Sequence, residues 1–121
     1  MKFTNKKKII IATGGTGGHI FPAYSLAKNF IKNNYAVEII TDERGLKYLD
    51  KHNGIKLNLN NSATIFKKNI VNLFLSVFVI FFSYIKSLVI LYKANPSVVF
   101  GMGGHASFPV CIAAKTLNIP F

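Results

Sequence analysis

Two phrases, "GTGGHIFP" at residues 15–22 and "GMGGHASFP" at residues 101–109, restrict what this chain can fold into more than any other feature. Each follows a short β-branched run, Ile9 to Ile11 before the first and Val98 to Val99 before the second. Each leads into a stretch with helical spacing, entered through Pro22 or Pro109. Apolar runs closed by glycine read as buried strands, and proline is favoured in the first turn of a helix. The chain therefore writes strand, glycine turn, helix, and then writes it again.

The segments between fit the same alternation. "KIIIAT" (8–13) reads as the first strand, and Ala23, Leu26, Ala27, Phe30 and Ile31 recur at helical spacing after Pro22. "AVEIIT" (36–41) reads as a second strand. Thr41 or Asp42 can cap a short helix through "RGLKYLDKH", which places His52 at a helix end near Gly54. "IKLNL" (55–59) makes a third strand, and "SVVF" after Pro96 a fourth. Ser107 can cap a last helix with Pro109 in its first turn, and "IPF" (119–121) opens as a further strand. Strands alternating with helices predict an α/β fold, a Rossmann-like doubly wound parallel sheet forming one domain over residues 1–121. A chain ending on a strand start is expected to be truncated or split.

Composition narrows the partners. Half of the 121 residues are hydrophobic, enough for one buried core. The formal charge of +11 rests on lysine, since Arg44 is the single arginine among 15 cations. Arginine's fork is the usual reader of bases and phosphates, so the lysine excess indicates diffuse attraction to an anionic surface rather than nucleic-acid recognition. Cys111, in "VCIAA", reads as a small buried hydrophobe. No cysteine and histidine spacing suits a metal, no cofactor is expected, and the short apolar run after the basic start does not make a signal peptide.

Glycine turns between strand and helix bring backbone N–H groups close to an anion, and the helix dipole adds to the attraction. Diphosphate binding is the favoured chemistry. The first turn is not the dinucleotide fingerprint, because Ile20 stands where a third glycine would follow Gly15 and Gly17, and neither turn carries the Gly-Lys-Ser/Thr of a Walker loop. His19, at a helix start where imidazolium is disfavoured, suits a general base acting on a hydroxyl; the alternative is a loop histidine that only hydrogen-bonds.

Residues 69–85, "NIVNLFLSVFVIFFSYI", carry no charge. On a helical wheel Asn69, Asn72, Ser76, Ser83, Lys86, Ser87 and Lys93 share a narrow polar stripe against a broad apolar face. Part of that face is expected to pack on the sheet, leaving Phe74, Phe78, Phe81, Phe82 and Tyr84 outward. With Lys67 and Lys68 at the start of the segment and Lys86 further on, they would meet an anionic membrane in plane, a reading favoured over a fully buried crossover helix or a true span.

Taken together, "ATGGTGGHIFPA" (12–23), "NPSVVFGMGGHASFP" (95–109) and the basic-apolar segment between them resemble the N-terminal domain of the MurG family of peptidoglycan glycosyltransferases, glycosyltransferase family 28. The resemblance implies the N-terminal, acceptor-binding half of an inverting GT-B enzyme. That enzyme moves N-acetylglucosamine from UDP-N-acetylglucosamine to undecaprenyl-diphosphate-linked muramoyl-pentapeptide, as a peripheral protein on the cytoplasmic side of the bacterial plasma membrane. It implies that Gly15, Thr16, Gly17 and Gly18 border donor sugar and acceptor diphosphate, that His19 is a catalytic base or orienting group, and that Gly103 and Gly104 cradle the diphosphate. His105 stands where the family usually has an aromatic and inherits no role. The family's acidic base candidate and donor domain lie beyond Phe121, so these residues alone are expected to be inactive. The alternative is a membrane-docked, polyprenyl-diphosphate-binding subunit of a split transferase.

Overall fold

The computed structural model describes residues 6–49, 55–60 and 70–121. Four strands, β1 (Lys8–Ala12), β2 (Ala36–Thr41), β3 (Lys56–Leu59) and β4 (Val98–Gly101), form one parallel sheet in the order β3-β2-β1-β4. Helices α1 (Gly17–Lys32), α2 (Glu43–Leu49), α3 (Ile70–Ala94) and α4 (Ser107–Thr116) alternate with them. This is the doubly wound α/β sheet that the alternating pattern predicts.

A parallel sheet covered on both faces needs apolar side chains at every position of its central strands. In β1 the alternate residues divide accordingly. Ile9 and Ile11 pack with Val37, Ile39, Ile20, Ala23 and Ala27 on the α1 face. Ile10 and Ala12 pack with Ile40, Val99, Leu91, Val110 and Ala113 under α3 and α4. Register follows the same logic, with Ile11 of β1 opposite Ile39 of β2 and Phe100 of β4. The chain winds outward from β1 to β3, then returns through α3 to place β4 on the other side of β1. The order of winding reverses between β1 and β4, and open α/β sheets bind ligands at such switch points.

Several local expectations change. Helix α1 begins at Gly17, so Pro22 lies inside it rather than in its first turn; the amides of His19 and Ile20 already bond the Thr16 carbonyl, at 3.0 and 2.9 Å. Pro22 offers no N–H to Gly18, whose carbonyl is left at an exposed position. Asp42, not Thr41, caps α2, its Oδ1 accepting from the Gly45 amide at 3.0 Å. Ser107 is the first residue of α4 rather than its cap, and its hydroxyl donates back to the Gly104 carbonyl at 2.9 Å. The expected strand at 119–121 is not formed as such; one backbone bond, from the Val99 amide to the Pro120 carbonyl at 2.9 Å, runs beside β4. His52 lies outside the described residues.

Helix α3 turns the serines of its polar stripe inward and leaves Lys86 and Lys93 exposed. Ser76, Ser83 and Ser87 are buried, while Phe74, Phe78, Phe81 and Phe82 are each more than half exposed. Asn60, just past β3, explains the inversion: its Nδ2 donates to the Ser83 carbonyl at 3.1 Å and to Ser87 Oγ at 2.7 Å. Tyr84 departs from expectation, since it packs inward and its hydroxyl meets Thr116 Oγ1 at 2.9 Å. Asn60, just past the carboxyl end of β3, bonds α3 at Ser83, and residues 70–82 before that point make up about 20 Å of helix at 1.5 Å per residue. The segment Leu73–Ala94 is long and apolar enough to cross a membrane by length and composition. Its later half is part of the core, however, with Leu91 fully buried.

Candidate functional site

Three loops meet at the carboxyl ends of β1, β2 and β4. The β1–α1 turn and the β4–α4 turn are bonded directly to each other, the Gly14 amide to the Gly103 carbonyl at 2.9 Å and the Met102 amide to the Ala12 carbonyl at 2.8 Å. This approach requires glycine. A Cβ on Gly104 would stand 2.6 Å from Gly14 Cα, and Gly103 and Gly104 hold φ of +95° and +84°, a region that side chains disfavour.

A cleft of about 250 Å³ opens there, lined by Gly14, Gly15, Thr16, His19, Arg44, Gly104 and His105. His19, the third residue of α1, lays its ring across the second turn: a Cβ on Gly103 would come within 3.1 Å of its Cε1. The two histidines of the repeated phrase thus reach one cleft from different strands. Gly17 and Gly18 open α1 next to Thr16 and, like Gly103, are not among the residues that line the cleft. Their amides precede the first intrahelical bond and have no acceptor among the described residues. Gly18 has open space around it, and Gly17 faces the Phe21 ring.

The β2–α2 loop supplies what the motifs did not reveal. Arg44 donates from Nη2 to Asp42 Oδ2 at 3.0 Å, while Asp42 Oδ1 holds the Gly45 amide. Both carboxylate oxygens are thereby engaged, and the guanidinium is steadied beside the cleft, its remaining N–H groups without an acceptor among the described residues. Any side chain on Gly15 would collide with that carboxylate. The signal in the sequence is faint: the single arginine, three residues beyond a buried strand. No cluster of three or more metal-ligating side chains occurs among the described residues.

Of the side chains expected to face a membrane, Phe74, Phe78, Phe81 and Phe82 are exposed at 63%, 60%, 56% and 66%. They lie in the first half of α3, before the helix is bonded at Ser83 to Asn60 beyond the carboxyl end of β3. Lys67 and Lys68 lie outside the described residues.

Comparison with known proteins agrees with this geometry. Over 94% of its length the chain is 38% identical to a protein of Rickettsia prowazekii named UDP-N-acetylglucosamine--N-acetylmuramyl-(pentapeptide) pyrophosphoryl-undecaprenol N-acetylglucosamine transferase. Over 95% of its length it is 34% identical to the Bartonella henselae protein of the same name. It spans only 28% and 30% of those two proteins. The crystal structure of Acinetobacter baumannii MurG superposes with a TM-score of 0.80 at 25% identity, covering 94% of this chain and 34% of that one. The family model for the glycosyltransferase family 28 N-terminal domain matches residues 9–121. With nearly the whole chain matched and the two glycine turns joined at the switch point of its sheet, the chain belongs to glycosyltransferase family 28, as that family's N-terminal domain.

Proposed function

We propose that this chain is the acceptor-binding part of a transferase that moves N-acetylglucosamine from UDP-N-acetylglucosamine, with inversion, to undecaprenyl-diphosphate-linked muramoyl-pentapeptide. The observation that carries this reading is the meeting of the two glycine turns with His19 in one cleft, on a chain whose α3 leaves a row of phenyl rings exposed. A lipid-linked diphosphate has one charged end and one apolar end, and these two features answer to both.

In this reading the free amides of Gly17 and Gly18, with the dipole of α1, receive negative charge at the cleft, alongside Gly15, Thr16, Gly103 and Gly104. Arg44, held by Asp42, adds a fixed positive charge. His19 takes the proton from the acceptor's 4-hydroxyl as that oxygen attacks the anomeric carbon, and UDP departs from the opposite face. The donor's nucleotide is held by a second domain outside these residues. The exposed face of α3, with Lys67 and Lys68 before it, rests in the headgroup layer on the cytoplasmic side of a bacterial plasma membrane.

In a protein that carries both halves, His19→Ala is expected to lower kcat about a hundredfold or more, the usual worth of a general base, with folding unchanged by circular dichroism. An unchanged kcat would remove His19 from the chemistry.

A further inference from the structure

At the opposite end of the sheet, the amino ends of β1, β2 and β3 and the later half of α3 enclose a second cleft, of about 320 Å³. Four ammonium groups line it, from Lys8, Lys56, Lys86 and Lys93, against the single carboxylate of Glu38. That carboxylate is 5% exposed and fully engaged. Its Oε1 lies 3.1 Å from Lys8 Nζ and 3.7 Å from Lys56 Nζ, and its Oε2 accepts from Asn58 Nδ2 at 2.9 Å. Glu38 thus pins the two strand lysines. Lys86 and Lys93, both exposed and two helical turns apart on one face of α3, have no carboxylate partner among the described residues. The cleft keeps a surplus of three positive charges in a partly fixed arrangement.

Its apolar side is supplied by Val89 and Ile90, which come between those lysines. Val89 is also 48% exposed, and with Ile85, at 41%, it continues the outward apolar stripe of Phe78 and Phe82. An anion seated among the ammonium groups would therefore have hydrocarbon beside it. A free phosphate uses only the charge; a phosphate diester carrying acyl chains uses both.

We infer that this cleft seats the headgroup phosphate of one anionic glycerophospholipid, whose acyl chains run along Val89 and Ile85. The inference rests on α3 meeting a bilayer, and it gives the docked helix a fixed rotation that a diffuse positive charge would not supply. The headgroup site lies at the amino ends of the strands, away from the glycine cleft at their carboxyl ends.

The test uses dihexanoyl-phosphatidylglycerol below its micelle concentration, titrated against the chain while the lysine side chains are followed by NMR, with inorganic phosphate titrated in parallel. Saturable binding is expected, with shifts at Lys86 and Lys93 and far weaker binding of phosphate. The double variant Lys86→Gln/Lys93→Gln should bind the lipid about tenfold more weakly or less, since each lysine beside an anionic headgroup contributes substantially. Lys115→Gln removes one charge from the same sheet face outside the cleft and should leave binding unchanged. Equal loss in Lys115→Gln would mean diffuse attraction, and equal affinity for phosphate would mean a plain anion site; either result overturns the proposal. Both cleft lysines are exposed, so thermal melts of the double variant should match the parent. The Phe78→Ser/Phe82→Ser variant separates the two readings. Loss of vesicle docking with soluble lipid still bound supports both, whereas normal vesicle docking in the parent with no soluble lipid bound sinks the headgroup site alone.

Discussion

Gly104 and Gly18 look alike in the repeated phrase and differ in what their backbone must do. Gly104 combines positive φ with a missing Cβ that would press on Gly14, so Gly104→Ala is expected to cost about 2 kcal/mol or more by urea unfolding, from backbone strain and collision together. Gly18 has nothing within 4 Å of a Cβ, so Gly18→Ala should leave stability unchanged or raise it by about 0.5 kcal/mol. Cys111 permits a pH prediction. Burial raises its thiol above the ordinary value, so the reactive thiolate is scarce at neutral pH. Alkylation by iodoacetamide should be slow at pH 7 and climb only above about pH 8.5, the value of a free thiol. The glycines and His19 were legible in the sequence because their types and spacing carry the chemistry. Arg44 was not, since its place beside Gly15 depends on a loop from another strand.

Helix α3 shows how far periodicity reaches. The stripe of Ser76, Ser83 and Ser87 was visible from spacing, but which side it faces was not. Polar residues ordinarily turn outward, and here Asn60 supplies buried hydrogen bonds that turn Ser83 and Ser87 inward. Much of the apolar face is exposed, with no covering neighbour among the described residues. Phe78→Ser/Phe82→Ser should therefore change unfolding free energy by no more than about 0.5 kcal/mol, as exposed substitutions do. Co-sedimentation with vesicles should fall markedly. A large loss of stability would show that these rings are covered by protein. Helix starts were read less well than helix bodies: α1 begins five residues before Pro22, with backbone bonds to Thr16, and Ser107 opens α4 instead of capping it, although Pro109 keeps its expected place in the first turn.

For the whole molecule, charge and apolar surface make separable contributions. A formal charge of +11 should bind anionic vesicles strongly at low salt and lose most of that binding as ionic strength rises, because exposed charges are screened beyond about 8 Å at physiological salt. The part due to the phenyl rings should persist on neutral vesicles and hardly respond to salt. Flotation across a salt series on both vesicle types measures the two. The sequence by itself determined the order of strands and helices, the parallel sheet and the two anion-directed turns, because β-branched runs, helical spacing and glycine act locally. That both turns serve one diphosphate was already implied by the resemblance; only the tertiary structure decided how, by returning β4 beside β1 and adding Arg44 and His105 to the cleft. It also decided that α3 turns its serines inward and its phenyl rings out. Those outcomes depend on contacts between residues far apart in the chain, and no local pattern encodes them.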